Sequence, residues 1–284
     1  MNYLTDENIR QFIQSALKED IGDGDHSSLA SIPADAQRKA RLLIKGEGVL
    51  AGVELAKHIF AEVDPELKLD IQIEDGTVVK YGEIGLYVEG KAQSILTGER
   101  LVLNCMQRMS GIATYTRKLT DMISHTNAKL LDTRKTTPNA RIIEKWAVKI
   151  GGGTNHRFGL YDMVMLKDNH VDYCGGIDKA INKTVDYLNT NNLDLKIVVE
   201  VRDLNELQQC IDNGKIYRAL LDNMSPEMMT EAVKMVGDKF LTEASGGINE
   251  TNIVAAAETG VDFISIGALT HSYKSLDISL KAMK

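Results

Sequence analysis

The sequence predicts an α/β protein in two parts. A layered α+β segment fills about the first 95 residues, and a βα alternation of the kind that builds a barrel or a wound sheet follows. Two observations carry this reading. In the first part, short strand-like pieces are punctuated by Gly46, Gly52, Gly76, Gly82 and Gly90. From Ala128 onward, short apolar runs alternate with helical stretches, and the later runs recur every 20 to 23 residues or so.

The elements follow in order. Residues 4–19 place Ile9, Phe12, Ile13, Ala16 and Leu17 at helical spacing. Asp6 and Glu7 sit in the first turn, where negative charge suits the helix dipole. A Gly/Asp-rich loop occupies 19–25. Strand-like pieces cover 39–44, 48–51, 67–74, 77–79 and 85–89, with a helix over 53–63 among them. A long helical pattern spans 96–124. The apolar runs are Ala128–Leu131, Met163–Leu166, Lys196–Val199, Ala219–Leu221, Phe240–Thr242 and Phe263–Ile266. Residues 276–283 read as a short helix. The expected division is a first domain over 1–108, with a C-terminal helix within 273–284 packed on it, and a barrel over 109–272.

Composition narrows the function classes. Apolar residues at 43% and charged residues at 26% exclude a disordered chain. Aromatics at 5% argue against a stacking platform for single strands, and a net charge of -7 argues against a general nucleic-acid binder. An acidic total still permits a cationic cleft, because local clustering sets the field there. Cys105, Cys174 and Cys210 are too scattered for a metal clip and read as reduced thiols. No basic region followed by an apolar run opens the sequence, and no apolar stretch approaches the roughly 20 residues that span a bilayer. The expectation is a soluble, cytoplasmic protein with no membrane or nucleic-acid partner.

In a βα barrel, chemistry collects at the C-terminal ends of the strands. The first run leads into Asp132-Thr133-Arg134-Lys135, the second into Lys167-Asp168-Asn169-His170, the third into Glu200 and the fourth into Asp222-Asn223. The fifth leads through Glu243 to Ser245-Gly246-Gly247, and the sixth ends at Ile266-Gly267-Ala268. A charged residue after one strand means little; six polar ends in order point to one mouth. Arg134, Lys135, Arg157 and Lys167, with His156 beside Arg157, describe a pocket for a substrate with more than one anionic group. Guanidinium forks match carboxylates and phosphates at two points. Each of these cations, taken singly, could equally be a solvated rim charge. Glu200 and Asp222 close consecutive strands about 4.8 Å apart, so the pair could approach one Mg2+ through water or substrate oxygens. The bland alternative pairs them with the cations above. Ser245-Gly246-Gly247 and Ile266-Gly267-Ala268 fall where barrels commonly hold a phosphate. Gly151-Gly152-Gly153 is not a nucleotide loop, since neither a Lys-Ser/Thr nor a helix-opening G-x-G-x-x-G accompanies it.

These residues resemble one family. Glu19-Asp20-Ile21-Gly22-Asp23-Gly24-Asp25, Glu99-Arg100-Leu101-Val102-Leu103-Asn104 and Ser110-Gly111-Ile112-Ala113-Thr114 match it. So do Leu131-Asp132-Thr133-Arg134-Lys135-Thr136-Thr137-Pro138, Gly151-Gly152-Gly153-Thr154-Asn155-His156-Arg157 and Leu166-Lys167-Asp168-Asn169-His170. The match continues through Leu221-Asp222-Asn223, Ser245-Gly246-Gly247 and Gly267-Ala268-Leu269-Thr270-His271-Ser272. Over nearly the whole chain, and in order, this is similar to the quinolinate phosphoribosyltransferases. The resemblance implies an N-terminal α/β sandwich followed by an open α/β barrel, in a homodimer whose sites are shared across the interface, with higher assembly left open. It implies quinolinate and phosphoribosyl pyrophosphate as substrates and Mg2+ as the ion. Arg100 would act in the partner's site. Thr133, Arg134, His156, Arg157 and Lys167 would bind substrate, the last four holding the pyridine dicarboxylate. Lys135, Glu200, Asp222 and the two glycine loops would hold the donor. Lys135, Glu200 and Asp222 would be the catalytic set, and Glu200 and Asp222 the metal carboxylates. The sequence departs from the family at Val198-Val199-Glu200, where Glu-Val-Glu is frequent, at Asn139, where glycine is usual, and at Trp146, where tyrosine is usual. The alternative enzyme is a relative of the same fold acting on another anionic acceptor, such as the phosphoribosyltransferase-like protein of molybdenum-transport operons. The non-enzyme alternative is a small-molecule sensor, against which the presence of both Glu200 and Asp222 argues.

Overall fold

The structure is a computed structural model and describes residues 3–283. Helix α1 (Asp6–Ile21) starts at Thr5, whose hydroxyl accepts the Asn8 amide at 3.2 Å, and it buries Ile9 and Ile13. Helix α2 (His26–Ser31) is capped by the Asp25 carboxylate. Then come β1 (Gln37–Ile44), β2 (Gly48–Val49), α3 (Val53–Val63), β3 (Lys68–Ile71), β4 (Val78–Val79), β5 (Ile84–Lys91) and the long α4 (Ala92–Met122). The alternation follows as β6 (Lys129–Leu131), α5 (Arg141–Ile150), β7 (Val164–Leu166), α6 (Asp168–Cys174), α7 (Ile177–Thr190), β8 (Ile197–Val201) and α8 (Leu204–Asn213). It ends with β9 (Arg218–Asp222), α9 (Pro226–Val236), β10 (Leu241–Ser245), α10 (Ile253–Glu258), β11 (Phe263–Ser265), α11 (Ala268–His271) and β12 (Ile278–Ala282). No helix among the described residues is long and apolar enough to cross a membrane.

The chain forms two compact units. The first runs to Arg117 and also takes Thr136–Gly152 and the chain from Leu269 onward; the second comprises Lys118–Lys135 and Gly153–Ala268. The first unit is built on an antiparallel sheet in the order β12-β1-β5-β3, with a separate β2-β4 pair. Ala40, Leu42 and Ile44 of β1 point to the core, and Leu42 and Ile44 lie opposite Leu280 and Ile278 of β12. Residues 276–283 are therefore not the short helix expected. Ile278 and Leu280 are buried and Ser279 between them is not, a period-2 pattern that serves the free edge of β1.

Helix α5 belongs to the first unit because its fully buried Glu144 pairs with Arg108 of α4 at 3.0 Å and accepts the Thr137 amide at 3.1 Å. Burial raises the Glu144 carboxyl above its usual range, against the pull of Thr137 and Arg108. Gly151, just past α5, lies so close to α4 that a Cβ would stand 2.6 Å from the Ala113 carbonyl oxygen. Asn139, in the turn before α5, holds a left-handed φ of 63°, which asparagine tolerates.

The second unit is a six-stranded parallel sheet in the order β6-β11-β10-β9-β8-β7. Its outer strands β6 and β7 are not hydrogen-bonded to each other among the described residues, so the barrel is open. One face carries Ala219, Leu221, Val199 and Val201, all buried, with α8 and α9 packed on the sheet. The other face carries the charges.

Candidate active site

Register decides which charges meet. In a parallel pair, partnered residues share a face and alternate residues return to it. Glu200 of β8 is opposite Leu220 of β9, and Leu220 is opposite Glu243 of β10. Asp222 is two residues beyond Leu220 and is opposite Ser245. Arg218, Leu220, Asp222, Glu200, Glu243 and Ser245 therefore share the inner face, with Asp222 and Ser245 one pleat nearer the C-terminal mouth.

The carboxylates differ in surroundings. Glu200 lies within β8 rather than after it, and the Lys167 ammonium reaches its Oε2 at 3.2 Å. Lys167 stands just after β7, where its own amide donates to His170 Nδ1 at 3.1 Å. Asp222 ends β9 and accepts from the Asn223 side-chain amide at 2.8 Å. No cluster of three metal-ligating side chains is found among the described residues. Two carboxylates one pleat apart suit an ion that takes its remaining ligands from substrate phosphates and water.

The cations gather on the loops after β6 and before β7. Arg134 and Lys135 are exposed, and the Lys135 amide donates to Thr133 Oγ1 at 3.0 Å to tighten the turn. Asp132, fully buried, pins the facing segment: one oxygen accepts the His156 amide at 2.8 Å and the other the Asn155 side-chain amide at 2.6 Å. Arg157 is buried, and its Nη1 donates to the Met163 carbonyl at 3.2 Å. Burial and the neighbouring Arg134 guanidinium both push the Arg157 pKa down, with Asp162 opposing. Two like charges held together beside a desolvated wall are unfavourable alone and favourable around a dianion. Arg100 belongs to the first unit, exposed on α4.

The glycine loops follow β10 and β11. Gly246 and Gly247 have φ of 92° and 62°, conformations costly for residues with a Cβ. A Cβ on Gly246 would stand 2.9 Å from the Asn223 amide nitrogen and closer still to its side chain, so the loop crosses the end of β9 in contact with the Asp222-Asn223 pair. Asn223 itself has φ 53°. In the second loop, the Ile266 amide donates to the Leu131 carbonyl at 3.0 Å, which ties the end of β11 to β6. Gly246→Ala should cost roughly 1–3 kcal/mol through strained backbone alone. It should also raise the donor KM. Urea unfolding with steady-state kinetics checks both, and unchanged values would free the loop of this constraint.

Three side chains of this face were not singled out from sequence: Arg218, Glu243 and Asn223. Arg218 opens β9, one residue before the apolar run Ala219–Leu221. Glu243 looked like a residue after a strand, whereas β10 continues to Ser245. Asn223 stood in a matched motif, but only its left-handed backbone and the approach of Gly246 reveal what it does.

Comparison with known proteins agrees with the architecture. The C-terminal domain model of quinolinate phosphoribosyl transferase matches residues 112–281, and the N-terminal domain model matches 25–110. The chain is 46% identical over 288 aligned positions to quinolinate phosphoribosyltransferase [decarboxylating] 1b of Nicotiana tabacum, covering 96% of this chain and 82% of the relative. It is 40% identical to a probable nicotinate-nucleotide pyrophosphorylase [carboxylating] of Bacillus subtilis, covering 99% and 94%. A crystal structure of NadC from Streptococcus pyogenes superposes with a TM-score of 0.92 at 37% identity, covering the whole of both chains. With both domain models matched in order along one chain, and full-length relatives well above the level at which a shared fold is all that likeness shows, this chain belongs to the quinolinate phosphoribosyltransferase family.

Proposed function

We propose that the chain transfers the phosphoribosyl group of phosphoribosyl pyrophosphate to quinolinate with loss of CO2, giving nicotinate mononucleotide and pyrophosphate. Beyond family membership, the supporting observation is that Arg134 lies near the buried Arg157 on the loops after β6 and before β7, while Lys167 just after β7 reaches Glu200 at 3.2 Å. One side of the mouth suits a dicarboxylate, and the other suits a ribose with its phosphates.

The chemistry needs little covalent help. As pyrophosphate leaves the anomeric carbon, positive charge grows on the ribose and negative charge on the leaving group. In this reading Lys135 meets the departing phosphates, and Glu200 and Asp222 support the ribose side. Mg2+, when bound with the donor, supplies charge neutralisation on the pyrophosphate, and Glu200 and Asp222 are the residues that would hold it. Once attached to the ribose, the ring nitrogen is positive, and it stabilises the carbanion left when the adjacent carboxylate departs as CO2; that carbon then takes a proton from water. Arg134, Arg157 and Lys167 hold the dicarboxylate in register for that loss, with His156 supporting Arg157 from behind.

The assembly is a homodimer in which Arg100 completes the partner's site. Leu96, one turn before Arg100 on α4, is 43% exposed, and Leu160 and Tyr173 of the second unit are 70% and 89% exposed, apolar surface of the kind a partner covers. The cytoplasm supplies both substrates.

Product analysis with quinolinate, phosphoribosyl pyrophosphate and Mg2+ is the direct test. Equimolar nicotinate mononucleotide, pyrophosphate and CO2 are expected, and quinolinate recovered intact would end this reading. Arg134→Ala and Arg157→Ala should each weaken quinolinate binding by about 1.5–3 kcal/mol, the worth of a hydrogen bond to a charged group. Unchanged affinity in both would remove them from the acceptor site. Excess chelator should abolish turnover, and Asp222→Asn should raise the Mg2+ requirement; full activity in chelator would refute the metal role of Glu200 and Asp222.

A further inference from the structure

Beneath the acceptor pocket, the inner face of the barrel buries a group of charges that the proposed chemistry does not use. Arg218 is 4% exposed and Glu243 fully buried. Arg218 Nη1 lies 2.7 Å from Glu243 Oε2, and the same oxygen lies 3.2 Å from His156 Nε2. The Arg218 guanidinium stacks 4.3 Å from the centre of the Phe263 ring, whose residue is opposite Glu243 in the sheet register, and 5.4 Å from that of Tyr217. Arg218 Nε and Glu243 Oε1 find no hydrogen-bond partner, and the 3.2 Å contact of His156 Nε2 with Glu243 is an ion-pair approach rather than a well-aligned hydrogen bond.

Stability does not account for such a group. A buried ion pair with unsatisfied atoms is commonly no better than well-packed apolar side chains of the same volume. Its contacts lead elsewhere. The Arg157 amide donates to His156 Nδ1 at 2.7 Å, so that nitrogen presents a lone pair and carries no proton. The ring proton is then on Nε2, the nitrogen that faces Glu243. Asp132 fixes the His156 backbone, and the imidazole fixes the Arg157 backbone in turn.

We infer that Glu243, neutralised by Arg218, is a positioning residue for the acceptor site: it holds the His156 ring with its single proton on Nε2 and thereby sets the Arg157 backbone. The inference rests on the reading that Arg157 receives an acceptor carboxylate.

Two measurements test it. The first is the side-chain 15N spectrum of histidine-labelled wild-type enzyme at pH 7. His156 should show the Nε2–H form; an Nδ1–H or doubly protonated ring overturns the inference. The second compares two paired substitutions that remove both buried charges. Arg218→Met with Glu243→Leu leaves His156 Nε2 without an acceptor. It should fold, keep the donor KM, and raise the quinolinate KM about tenfold, the scale of one lost hydrogen bond. Arg218→Met with Glu243→Gln restores an acceptor oxygen without charge, and should return the quinolinate KM to within about twofold of wild type on the same scale. An unchanged quinolinate KM in the Met/Leu enzyme, or no recovery in the Met/Gln enzyme, overturns the inference. If the Met/Leu enzyme does not fold, the Met/Gln enzyme still decides: a quinolinate KM raised about tenfold there overturns the inference. If quinolinate is not the acceptor, wild-type turnover fails while the imidazole spectrum continues to report on Glu243, so the two failures are distinct.

Discussion

Arg218→Met alone should destabilise the second unit by about 3–5 kcal/mol, the usual cost of leaving one buried charge without its partner. The residue left behind is Glu243, fully buried inside the sheet. Burial works to raise its carboxyl pKa, but the bond to His156 and the charge of Arg218 outweigh this and hold it below its ordinary 4.5. Because the folded value is depressed, the stabilisation from the pair is present above pH 4.5 and is lost as pH falls through the folded value. Removing Arg218 takes away that depression, and Glu243 must then protonate on folding or remain charged and unpaired. Urea unfolding of the variant should show the loss at pH 7 and a smaller loss near pH 4. A change under about 1 kcal/mol at pH 7 would fall within the range of ordinary surface substitutions and would mean that the pair is solvated after all.

Strand identity was legible in this sequence where burial is two-sided. Ala219–Leu221 and Phe263–Ile266 are apolar because helices cover one face and the barrel interior the other. The same logic misled at Glu200 and Glu243. A charged residue reads as the end of a strand, yet both lie within one, because the barrel interior supplies Lys167 to the first and Arg218 with His156 to the second. Such partners come from other strands and loops, and no local pattern announces them. The C-terminal strand failed differently: Ile278 and Leu280 alternate with period 2 over too few residues to outweigh a helical reading, and only the open edge of β1 decides the matter. At the site, the cations and carboxylates could be placed from strand ends. The inner group could not, since its function depends on which His156 nitrogen faces Glu243.

Arg100 offers the sharpest test of the assembly, since nothing in the periodicity of α4 distinguishes it from any exposed arginine. Chains carrying Arg100→Ala should be nearly inactive by themselves, as should chains carrying Lys135→Ala. Suppose each site takes Lys135 from one subunit and Arg100 from the other. In a mixed dimer, the site built on the Arg100→Ala chain then has its own intact Lys135 and receives an intact Arg100 from its partner. The second site collects both defects. Random exchange makes about half of all dimers mixed, and each holds one good site, so roughly a quarter of wild-type activity should return under C2 symmetry with independent sites. If Arg100 served its own chain's site, every site in the mixture would carry one defect and nothing would return. The experiment therefore needs subunit exchange shown independently, for example by energy transfer between labelled chains. Exchange without recovery of activity would place Arg100 outside the partner's site and leave the exposed face of α4 around Leu96 to be explained some other way.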